Sequence, residues 1–530
     1  MLFDAILKEI GEFGPWQIIL YGLLGLVGIP TGFQNMGITF LGGDMDHWCH
    51  VPELANLSDD LQRYISVPNT DGEPHTYSQC YMYHLNYSGY STKEFLRWNR
   101  SAHVDTNTPT KKCNSWQYDQ SVFTSTYVSA MDLVCDRAWM VSLIQTIYMT
   151  GFLSGCIGFG QLSDRIGRKK TLVISLACET VFATAGIFAC NYVLCVVFRF
   201  LVGAAAAGAF TTIFVFSMEI IGPKYRVSTG IMVQLWFAVG LMILPLAAYF
   251  VRDHVHLQWL MAMTPVLMVI YAFFIPESPR WLVSQGRDDE AREILSRTAK
   301  FNKKELPYLL DLHDNRAQVK VDDSTNSPSL LNLLQTPNLR KITLAMWWAW
   351  FVTSMVYYGL ALGVNLIGGN IFVNSFMSGA IEIPSYIMVI PIMNRVGRRW
   401  TAIGSLVAAG LSCFVCIALF DRPGLYTVLV VFSMCGKFFI AATFAVIYVY
   451  AAELFPTVVR QVGVGSSSMC ARIGGLIQPQ FGRLTIFWGP MPFLLYGITA
   501  VTASLSTLIL PETLNETLPD TLEDGEDFGR

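Results

Sequence analysis

The strongest constraint on this chain of 530 residues is a series of apolar runs that recur along almost its whole length. A helix of about 20 apolar residues crosses the roughly 30 Å of hydrocarbon in a bilayer, and the runs have about this length. The composition agrees, because 53% of the residues are hydrophobic and only 14% are charged. The runs are continuous instead of alternating, which excludes an outer-membrane β-barrel. We therefore predict an all-α membrane protein embedded in the lipid bilayer.

We count about twelve such runs. They are centred on residues 16–43, 139–161, 171–190, 192–214, 228–250, 257–276, 342–362, 371–393, 400–420, 425–449, 461–486 and 489–510. No small-residue cleavage site follows the first run, so we predict that it is a retained span and not a signal peptide.

Basic residues mark one side of the predicted membrane. They stand in short loops after even-numbered spans, at Arg165, Arg168, Lys169 and Lys170 and again at Arg395, Arg398 and Arg399. By the positive-inside rule these loops and both termini face the cytosol.

The predicted segments are a cytosolic N-terminus 1–15, a first helix 16–43, an extracellular loop 44–138, the rest of the N-terminal half 139–279, a cytosolic segment 280–341 with short helices, a C-terminal half 342–510 and an acidic cytosolic tail 511–530. The composition of the tail predicts disorder.

The extracellular loop is polar and suited to an oxidising compartment. Its three N-glycosylation sequons begin at Asn56, Asn86 and Asn99. Its four cysteines are Cys49, Cys80, Cys113 and Cys135. An even set in this compartment predicts two disulfides among three possible pairings. His47, Cys49 and His50 have no second ligand pair at matching spacing, so we predict no metal site.

An internal repeat at an offset of about 232 residues organises the chain. Asp164-Arg165-Ile166-Gly167-Arg168-Lys169 recurs as Asn394-Arg395-Val396-Gly397-Arg398-Arg399, Glu219 with Arg226 recurs as Glu453 with Arg460, and Pro276-Glu277-Ser278 recurs as Pro511-Glu512-Thr513. Two parallel six-helix halves that rock about a central site are the plan of major facilitator transporters. The repeated loop charges would then form a cytosolic latch. Alternatively, the basic residues reflect only the cytosolic position of these loops, where Lys and Arg are expected whatever the function.

Several stretches resemble the organic cation, carnitine and organic anion transporter family of that superfamily. They are Gly160 to Lys170, Pro276 to Leu282, Gly436 to Arg460 and the large loop after the first span. The resemblance implies that Asp164 meets the end of a neighbouring helix. The second copy has Asn394 at this position, so the resemblance implies a stronger latch in the first half.

Charges inside the spans mark a candidate site, since each costs about 2.5 to 3.5 kcal/mol near the bilayer centre. They are Glu179, Arg199, Glu382, Lys437, Arg472 and Arg483. The resemblance places Glu382, Lys437 and Arg472 in the central cavity. It also implies cavity positions at Gln234, Phe237, Trp350 and Tyr357. Further aromatic candidates for this cavity are Tyr358, Phe444 and Tyr448.

Both signs of charge in one cavity would suit a zwitterion such as carnitine. Arginine can grip a carboxylate with two hydrogen bonds, while an acid with aromatic faces suits an ammonium group. Alternatively, Glu382 pairs with Lys437 or Arg472 and neutralises it, so that the substrate is neutral or anionic.

We therefore predict an alternating-access transporter of small organic ions at the plasma membrane, with zwitterions or cations preferred. The alternatives are an organic anion exchanger and a non-transporting receptor on a transporter fold. An enzyme is disfavoured because the chain has no GxSxG elbow, no HExxH and no phosphate-binding loop. We expect no cofactor and no nucleic-acid partner, and a co-transported sodium ion or proton stays open.

Overall fold

The computed structural model describes residues 2–69, 77–98, 100, 104, 108–304, 330–363, 368–420, 422, 424–456, 458–516, 519 and 521–528. The chain divides into two units. Residues 1–38, 143–250 and 258–530 form one unit, which we call the helical unit, and residues 39–142 with 251–257 form the other, which we call the loop unit.

The described residues are mostly helical. The helices of the first half of the chain are α1 (Leu2–Ile10), α2 (Pro15–Gly25), α3 (Gly28–Met36), α4 (Ile38–Leu41), α5 (Asp59–Ser66), α6 (Thr92–Phe95), α7 (Tyr127–Ala130), α8 (Trp139–Ile166), α9 (Arg168–Ile187), α10 (Tyr192–Ile220), α11 (Pro223–Phe250) and α12 (His254–Ala272). The helices that follow are α13 (Pro279–Ser284), α14 (Asp288–Phe301), α15 (Asn332–Gln335), α16 (Pro337–Leu362), α17 (Ile371–Ala380), α18 (Glu382–Val396), α19 (Arg398–Leu419), α20 (Tyr426–Leu454), α21 (Arg460–Phe481), α22 (Met491–Thr507) and α23 (Leu522–Asp527).

Nine helical segments among the described residues are long and apolar enough to cross a membrane. They are Pro15–Leu41, Cys135–Ile166, Arg168–Ile187, Tyr192–Ile220, Pro223–Phe250, His254–Ala272, Ile371–Val396, Arg398–Leu419 and Tyr426–Leu454. Helices α16, α21 and α22 occupy the other three predicted spans. Helix α22 has only 17 residues, α16 contains three tryptophans and two tyrosines that lower its mean hydropathy, and α21 carries Arg472 and a run of serines.

Glycines allow the helices of the helical unit to touch along their backbones. Gly151 and Gly155 of α8 lie against the carbonyl groups of Phe200 and Ala204 on α10. In the second half, Gly474 of α21 lies in the same way against the Phe351 carbonyl of α16. A side chain at any of these glycines would force the helices apart, so small residues set the helix spacing, as is common within membranes.

Short amphipathic helices at both chain ends dock on the helical unit. In α1, Phe3, Ile6, Leu7 and Ile10 pack against Leu295 and Ala299 of α14. In α23, the Glu526 carboxylate accepts the backbone N–H of Asn338, at 2.9 Å, and of Leu339, at 3.2 Å. Those N–H groups belong to the first turn of α16, where the positive end of the helix dipole favours an acid. The prediction of a disordered tail is therefore wrong for residues 521–528.

Two short two-stranded sheets and two disulfides hold the loop unit together. β1 (His47–Cys49) pairs antiparallel with β4 (Trp116–Tyr118), and β2 (Tyr81–Tyr83) pairs antiparallel with β3 (Thr110–Lys112). The disulfides are Cys49–Cys113 and Cys80–Cys135, which close loops of 64 and 55 residues. Small domains with little apolar core commonly use such bonds.

The sequons and the candidate metal ligands also lie in the loop unit. Asn56 and Asn86 are exposed, while Asn99 lies outside the described residues. His47 stands near Cys80 and Cys135, but the two sulfurs are bonded to each other. That bond removes the thiolate character that a metal requires.

Candidate functional site

The first copy of the repeated loop forms a compact cluster of charges. The Arg168 guanidinium lies 2.7 Å from Glu219 and 2.9 Å from Asp164. Glu277 accepts the backbone N–H groups of Arg168, at 2.9 Å, and Lys169, at 3.0 Å, and so caps the start of α9. Asp164 uses its side chain for Arg168, which is the first residue of the neighbouring helix α9.

The second copy repeats this cap with one charge fewer. Arg398 donates to Glu453 at 2.9 Å, and Glu512 accepts the N–H groups of Arg398, at 2.8 Å, and Arg399, at 3.2 Å. The residues that turn the chain, Gly167 and Gly397, have φ angles of 106° and 101°, which side chains rarely adopt. Asn394 has no charge with which to replace the Asp164 contact.

The remaining residues of the predicted latch take different positions. Arg226 does not pair with Glu219. It binds Asp4 of α1 at 2.5 Å, and its Nε donates to the carbonyl groups of Met218 and Ile221. Arg460 donates to the Phe455 carbonyl at 3.3 Å, and Arg165 and Arg395 are exposed.

The Asp4 carboxyl is tuned by this contact. Burial alone would raise the pKa of Asp4, but the hydrogen bond and the charge of Arg226 lower it below its usual value. Asp4 is therefore an anion at neutral pH and holds α1 against α11.

A small cavity lies between the two halves of the helical unit, and we call it the central cavity. Its lining residues are Thr31, Asn35, Phe152, Phe210, Gln234, Phe237, Tyr357, Tyr358, Tyr386, Phe444, Tyr448 and Arg472. Its volume is about 30 Å³, which corresponds to roughly two water molecules. A second cavity of about 270 Å³ shares Gln234 and Tyr448 with it and extends to Arg226 and Glu453, so we call it the latch-side cavity.

The two halves contact each other at the helix ends farthest from the Arg168 and Arg398 charge clusters, which we call the latch. Thr146 of α8 donates to the Leu476 carbonyl of α21 at 3.3 Å and accepts from the Gln480 amide at 3.1 Å. The larger cavity thus lies on the latch side of the central cavity. Arg168 and Arg398 each pair within their own half, so neither of these pairs crosses between the halves in this state.

Arg472 is the charged residue among those that line the central cavity. Its guanidinium carbon lies 4.6 Å from the centre of the Phe152 ring. The structure gives it no carboxylate among the described residues. Its charge therefore faces the cavity without an acid to neutralise it.

Glu382 and Lys437 lie one layer behind the cavity wall, contrary to the expectation that they would line it. The Lys437 Nζ atom lies 2.8 Å from Glu382 Oε1, and both side chains are at most 1% exposed. Tyr357 and Tyr386 each donate a hydroxyl to the Glu382 carboxylate, at 2.7 and 3.0 Å. The Lys437 Nζ atom also lies 3.1 Å from the centre of the Tyr357 ring.

This arrangement corresponds to the alternative in which Glu382 is neutralised by a basic residue of the protein itself. Glu382 lies within contact distance of Lys437 and not of Arg472, so these two buried charges cancel. The pair orients Tyr357 and Tyr386, whose rings form part of the wall. The cavity itself is left with one positive charge and several aromatic faces.

Trp350 also lies behind the wall instead of in it. It is fully buried, and its ring packs edge-on against Tyr448 at 4.4 Å between centroids. Tyr357, Phe444 and Tyr448 pack against each other in the wall, at 5.4 Å between Tyr357 and Phe444 and 5.7 Å between Phe444 and Tyr448. Phe237 packs edge-on against Phe210, another lining residue, with 6.2 Å between the ring centroids. Aromatic edges and faces in this geometry favour each other and hold a fixed shape.

The structure adds residues that the sequence patterns did not single out as part of the site. Tyr386 stands four positions after Glu382 and so faces the same side of α18, which is a usable signal. Glu277 and Glu512 were visible only as landmarks of the repeat. Asp4 belongs to a stretch with apolar residues three and four positions apart, which is typical of an amphipathic helix.

Comparisons with known proteins place the chain among transporters. The family model described as "Sugar (and other) transporter" matches residues 85–524. The chain is 38% identical over 540 residues to the organic cation transporter protein of Drosophila melanogaster, covering all of this chain and 95% of that one. It is 35% identical over 525 residues to the human organic cation/carnitine transporter 2, covering 98% and 93%. The solved inward-open structure of the xylose transporter XylE from E. coli has a TM-score of 0.64 at 14% identity, covering 97% of this chain and 100% of that one.

Proposed function

The chain belongs to the organic cation and carnitine transporter family of the major facilitator superfamily, and from this premise we propose that it carries small zwitterions by alternating access. As a member of this family it is a multi-pass membrane transporter and not an enzyme. The substrates we propose combine a carboxylate with a quaternary or protonated amine, as carnitine does.

The observation that carries this proposal is the unneutralised Arg472 in an aromatic cavity. A guanidinium binds a carboxylate with two charge-assisted hydrogen bonds. The faces of Tyr357, Tyr358, Phe444 and Tyr448 attract an ammonium group, since an aromatic ring is negative above its plane. A zwitterion uses both features, whereas a simple cation would meet the Arg472 charge without compensation.

The two cavities suggest a path for the substrate. At about 30 Å³ the central cavity is contracted, while the latch-side cavity of about 270 Å³ adjoins it through Gln234 and Tyr448. We propose that this state faces the cytosol, with the halves closed at the Thr146 contact. Reorientation of the halves would open that contact and bring the two latch clusters together on the cytosolic side.

A second candidate function is organic anion exchange. The observation in its favour is the Glu382–Lys437 pair, which leaves Arg472 as the charge that a substrate meets. An aryl carboxylate could place its ring among the wall aromatics and its carboxylate on Arg472. The relatives named as organic cation and carnitine transporters favour the zwitterion over this alternative.

The cellular setting follows the basic loops and the loop unit. We propose a plasma-membrane location with both termini in the cytosol, in accord with the basic residues beside the latch. The exposed Asn56 and Asn86 would then carry glycans outside the cell, as would Asn99. A co-transported sodium ion or proton is part of this proposal.

Uptake into cells with little background transport tests the proposed function. The probes are radiolabelled carnitine, a quaternary cation and an aryl carboxylate, and the variants are Arg472→Ala and Glu382→Gln. The matched control is Arg483→Ala, which removes an exposed arginine shortly after the same helix. We expect saturable carnitine uptake that is lost in Arg472→Ala and kept in the control. Glu382→Gln should lower the uptake of every transported probe, because it loosens Tyr357 and Tyr386.

Other outcomes would contradict the proposal in distinct ways. Aryl carboxylate uptake above that of carnitine, lost with Arg472, would identify an anion exchanger. Uptake of the quaternary cation alone, insensitive to Arg472→Ala, would identify a cation carrier. No uptake of any probe despite surface expression would favour a receptor on a transporter fold.

A further inference from the structure

The latch-side cavity is apolar along most of its wall. Its volume is about 270 Å³, and helices of both halves line it, α10 and α11 from the first half and α20 and α21 from the second. Its apolar lining side chains are Phe214, Met218, Val227, Ile231, Ala445, Val449 and Val464. A wall of this kind suits the apolar part of a ligand, because binding removes that part from water.

The two charged residues of this wall are already neutralised by other parts of the protein. Arg226 binds Asp4 at 2.5 Å, and Glu453 lies 2.9 Å from Arg398. Among the described residues that line this cavity, none therefore offers a ligand an unpaired charge. The central cavity differs, because Arg472 faces it without an acid.

The two cavities adjoin at a pair of shared side chains. Gln234 and Tyr448 line both of them. The Tyr448 ring also packs against Phe214, with 6.0 Å between the centroids, and so joins α20 of the second half to α10 of the first. A ligand with its charged head on Arg472 therefore has to pass only these side chains for an attached chain to reach the latch-side cavity.

The volume of the latch-side cavity sets the length of chain that fits. An engineered apolar cavity of about 150 Å³ in another protein holds one benzene molecule. In proportion to the carbon atoms of that ligand, the 270 Å³ of the latch-side cavity accommodates a chain of roughly ten carbon atoms.

We propose that the latch-side cavity binds the aliphatic chain of an amphiphilic zwitterion whose carboxylate lies on Arg472, and that such a ligand inhibits transport. The cavity lies between the halves, on the side that has to close when they reorient. A chain in this space keeps the halves apart, so the ligand stabilises the present state and is not carried. Short zwitterions do not reach the space and are carried. This inference rests on the proposed function for its charged head group, but the apolar site can be tested separately.

Calorimetric titration of the purified full-length protein tests the site. The ligands are fatty acid esters of carnitine, from the acetyl to the palmitoyl ester. Complete burial of one methylene group raises the affinity about fourfold. We expect gains of up to this size with each methylene until the chain has roughly ten carbon atoms, and no further gain beyond that length. The heat-capacity change of binding should become more negative along the same series, since apolar surface is buried.

Variants that fill the cavity separate binding at this site from a general attraction of chains to detergent. Gly230 and Val464 line the cavity from opposite halves, and a side chain added at Gly230 first meets the flexible end of Met218. Gly230→Leu and Val464→Phe should each lower the ratio of decanoyl-ester to acetyl-ester affinity by about tenfold or more. The matched control is Gly158→Leu, at an exposed glycine of α8 with open space around it, and it should keep the wild-type ratio. A wild-type ratio in both filling variants would overturn the site.

Efflux from liposomes that contain the protein tests the inhibition. The liposomes are loaded with radiolabelled carnitine, and an unlabelled ester is added outside. A carried ester speeds the efflux by exchange, whereas a ligand that holds one state slows it. We expect the acetyl ester to speed the efflux, the decanoyl ester to slow it, and Gly230→Leu to weaken this slowing. Faster efflux with the decanoyl ester would overturn the inhibition.

Two further ligand series distinguish failure of the site from failure of the proposed function. They are alkyl trimethylammonium ions and fatty acid anions, titrated in the same way. If the carnitine esters do not bind, but one of these series gains affinity with chain length and loses that gain in Gly230→Leu, the proposed function fails and the apolar site stands. If carnitine binds and its esters gain nothing with chain length, the site fails and the proposed function stands. No gain with chain length in any of the three series would likewise overturn the site.

Discussion

The buried ion pair behind the cavity wall makes a quantitative prediction. Glu382 and Lys437 are almost inaccessible to solvent and 2.8 Å apart. Removing one partner of such a pair leaves an uncompensated buried charge, which costs about 3 to 5 kcal/mol, whereas removing both charges is often nearly neutral. The two substitutions should therefore be strongly non-additive.

The structure refines the expected size of each effect. In Lys437→Met the acid keeps its hydrogen bonds from Tyr357 and Tyr386, so we expect a loss of about 2 kcal/mol. In Glu382→Gln the ammonium keeps only the Tyr357 ring, so we expect a loss of about 3 kcal/mol. The double variant should lose about 1 to 2 kcal/mol, which gives a coupling energy of about 3 to 4 kcal/mol.

The assay is the free energy of unfolding in detergent, from a reversible denaturant titration of the four proteins of the cycle. A second cycle on the exposed pair Glu293 and Arg297, which are 2.5 Å apart, serves as the control. Because solvent screens that pair, its coupling should be about 0.5 kcal/mol or less. Additive effects of Glu382→Gln and Lys437→Met would refute the buried pair and would restore two separate charges to the cavity.

Three further predictions concern the parts that support the site. Asp4→Asn should release α1, which would be seen as faster proteolysis of that helix. Because Arg226 lowers the pKa of Asp4, the contact in the wild type should be complete above the usual aspartate pKa of about 4 and lost only below it. Release of α1 at neutral pH in the wild type would contradict this. Gly167→Ala should lower the free energy of unfolding by about 1 to 3 kcal/mol because of its positive φ, while Gly158→Ala, in open space within α8, should not, and equal effects would refute the backbone argument. Replacing Cys80 and Cys135 with serine should destabilise the loop unit by about 2 to 5 kcal/mol, measured as a lower midpoint of its thermal unfolding, and an unchanged midpoint would show that the bond is dispensable.

The helical architecture was accessible from the sequence because its signals are local. Apolar runs of spanning length and the repeated Gly167 and Gly397 loops each report on a few neighbouring residues. The repeat also aligned Glu277 with Glu512, and the structure gives both acids the same capping contact. Family resemblance added the transport function, and the comparisons show that family.

The arrangement of the site was less accessible because it depends on helix rotation and depth. The sequence could not decide whether Glu382 faces Lys437 or Arg472, since one residue turns a helix by about 100°. The sequence also could not show that Trp350 lies behind Tyr448 and not in the cavity wall, because both side chains are aromatic and either one can be buried in apolar surroundings. Acidic composition suggested disorder for the tail, yet the start of α16 provides N–H groups that bind Glu526.

Equilibrium binding to the purified protein tests most directly the claim that Arg472 recognises the carboxylate of a zwitterion. The ligands are carnitine and choline, which share a quaternary ammonium group and differ in the carboxylate. Losing a charge-assisted contact costs about 1.5 to 3 kcal/mol, so Arg472→Ala should weaken carnitine binding by a factor of about 10 to 150. Choline binding should stay the same or tighten. Equal weakening of both ligands, or carnitine binding that is indifferent to Arg472→Ala, would contradict the account.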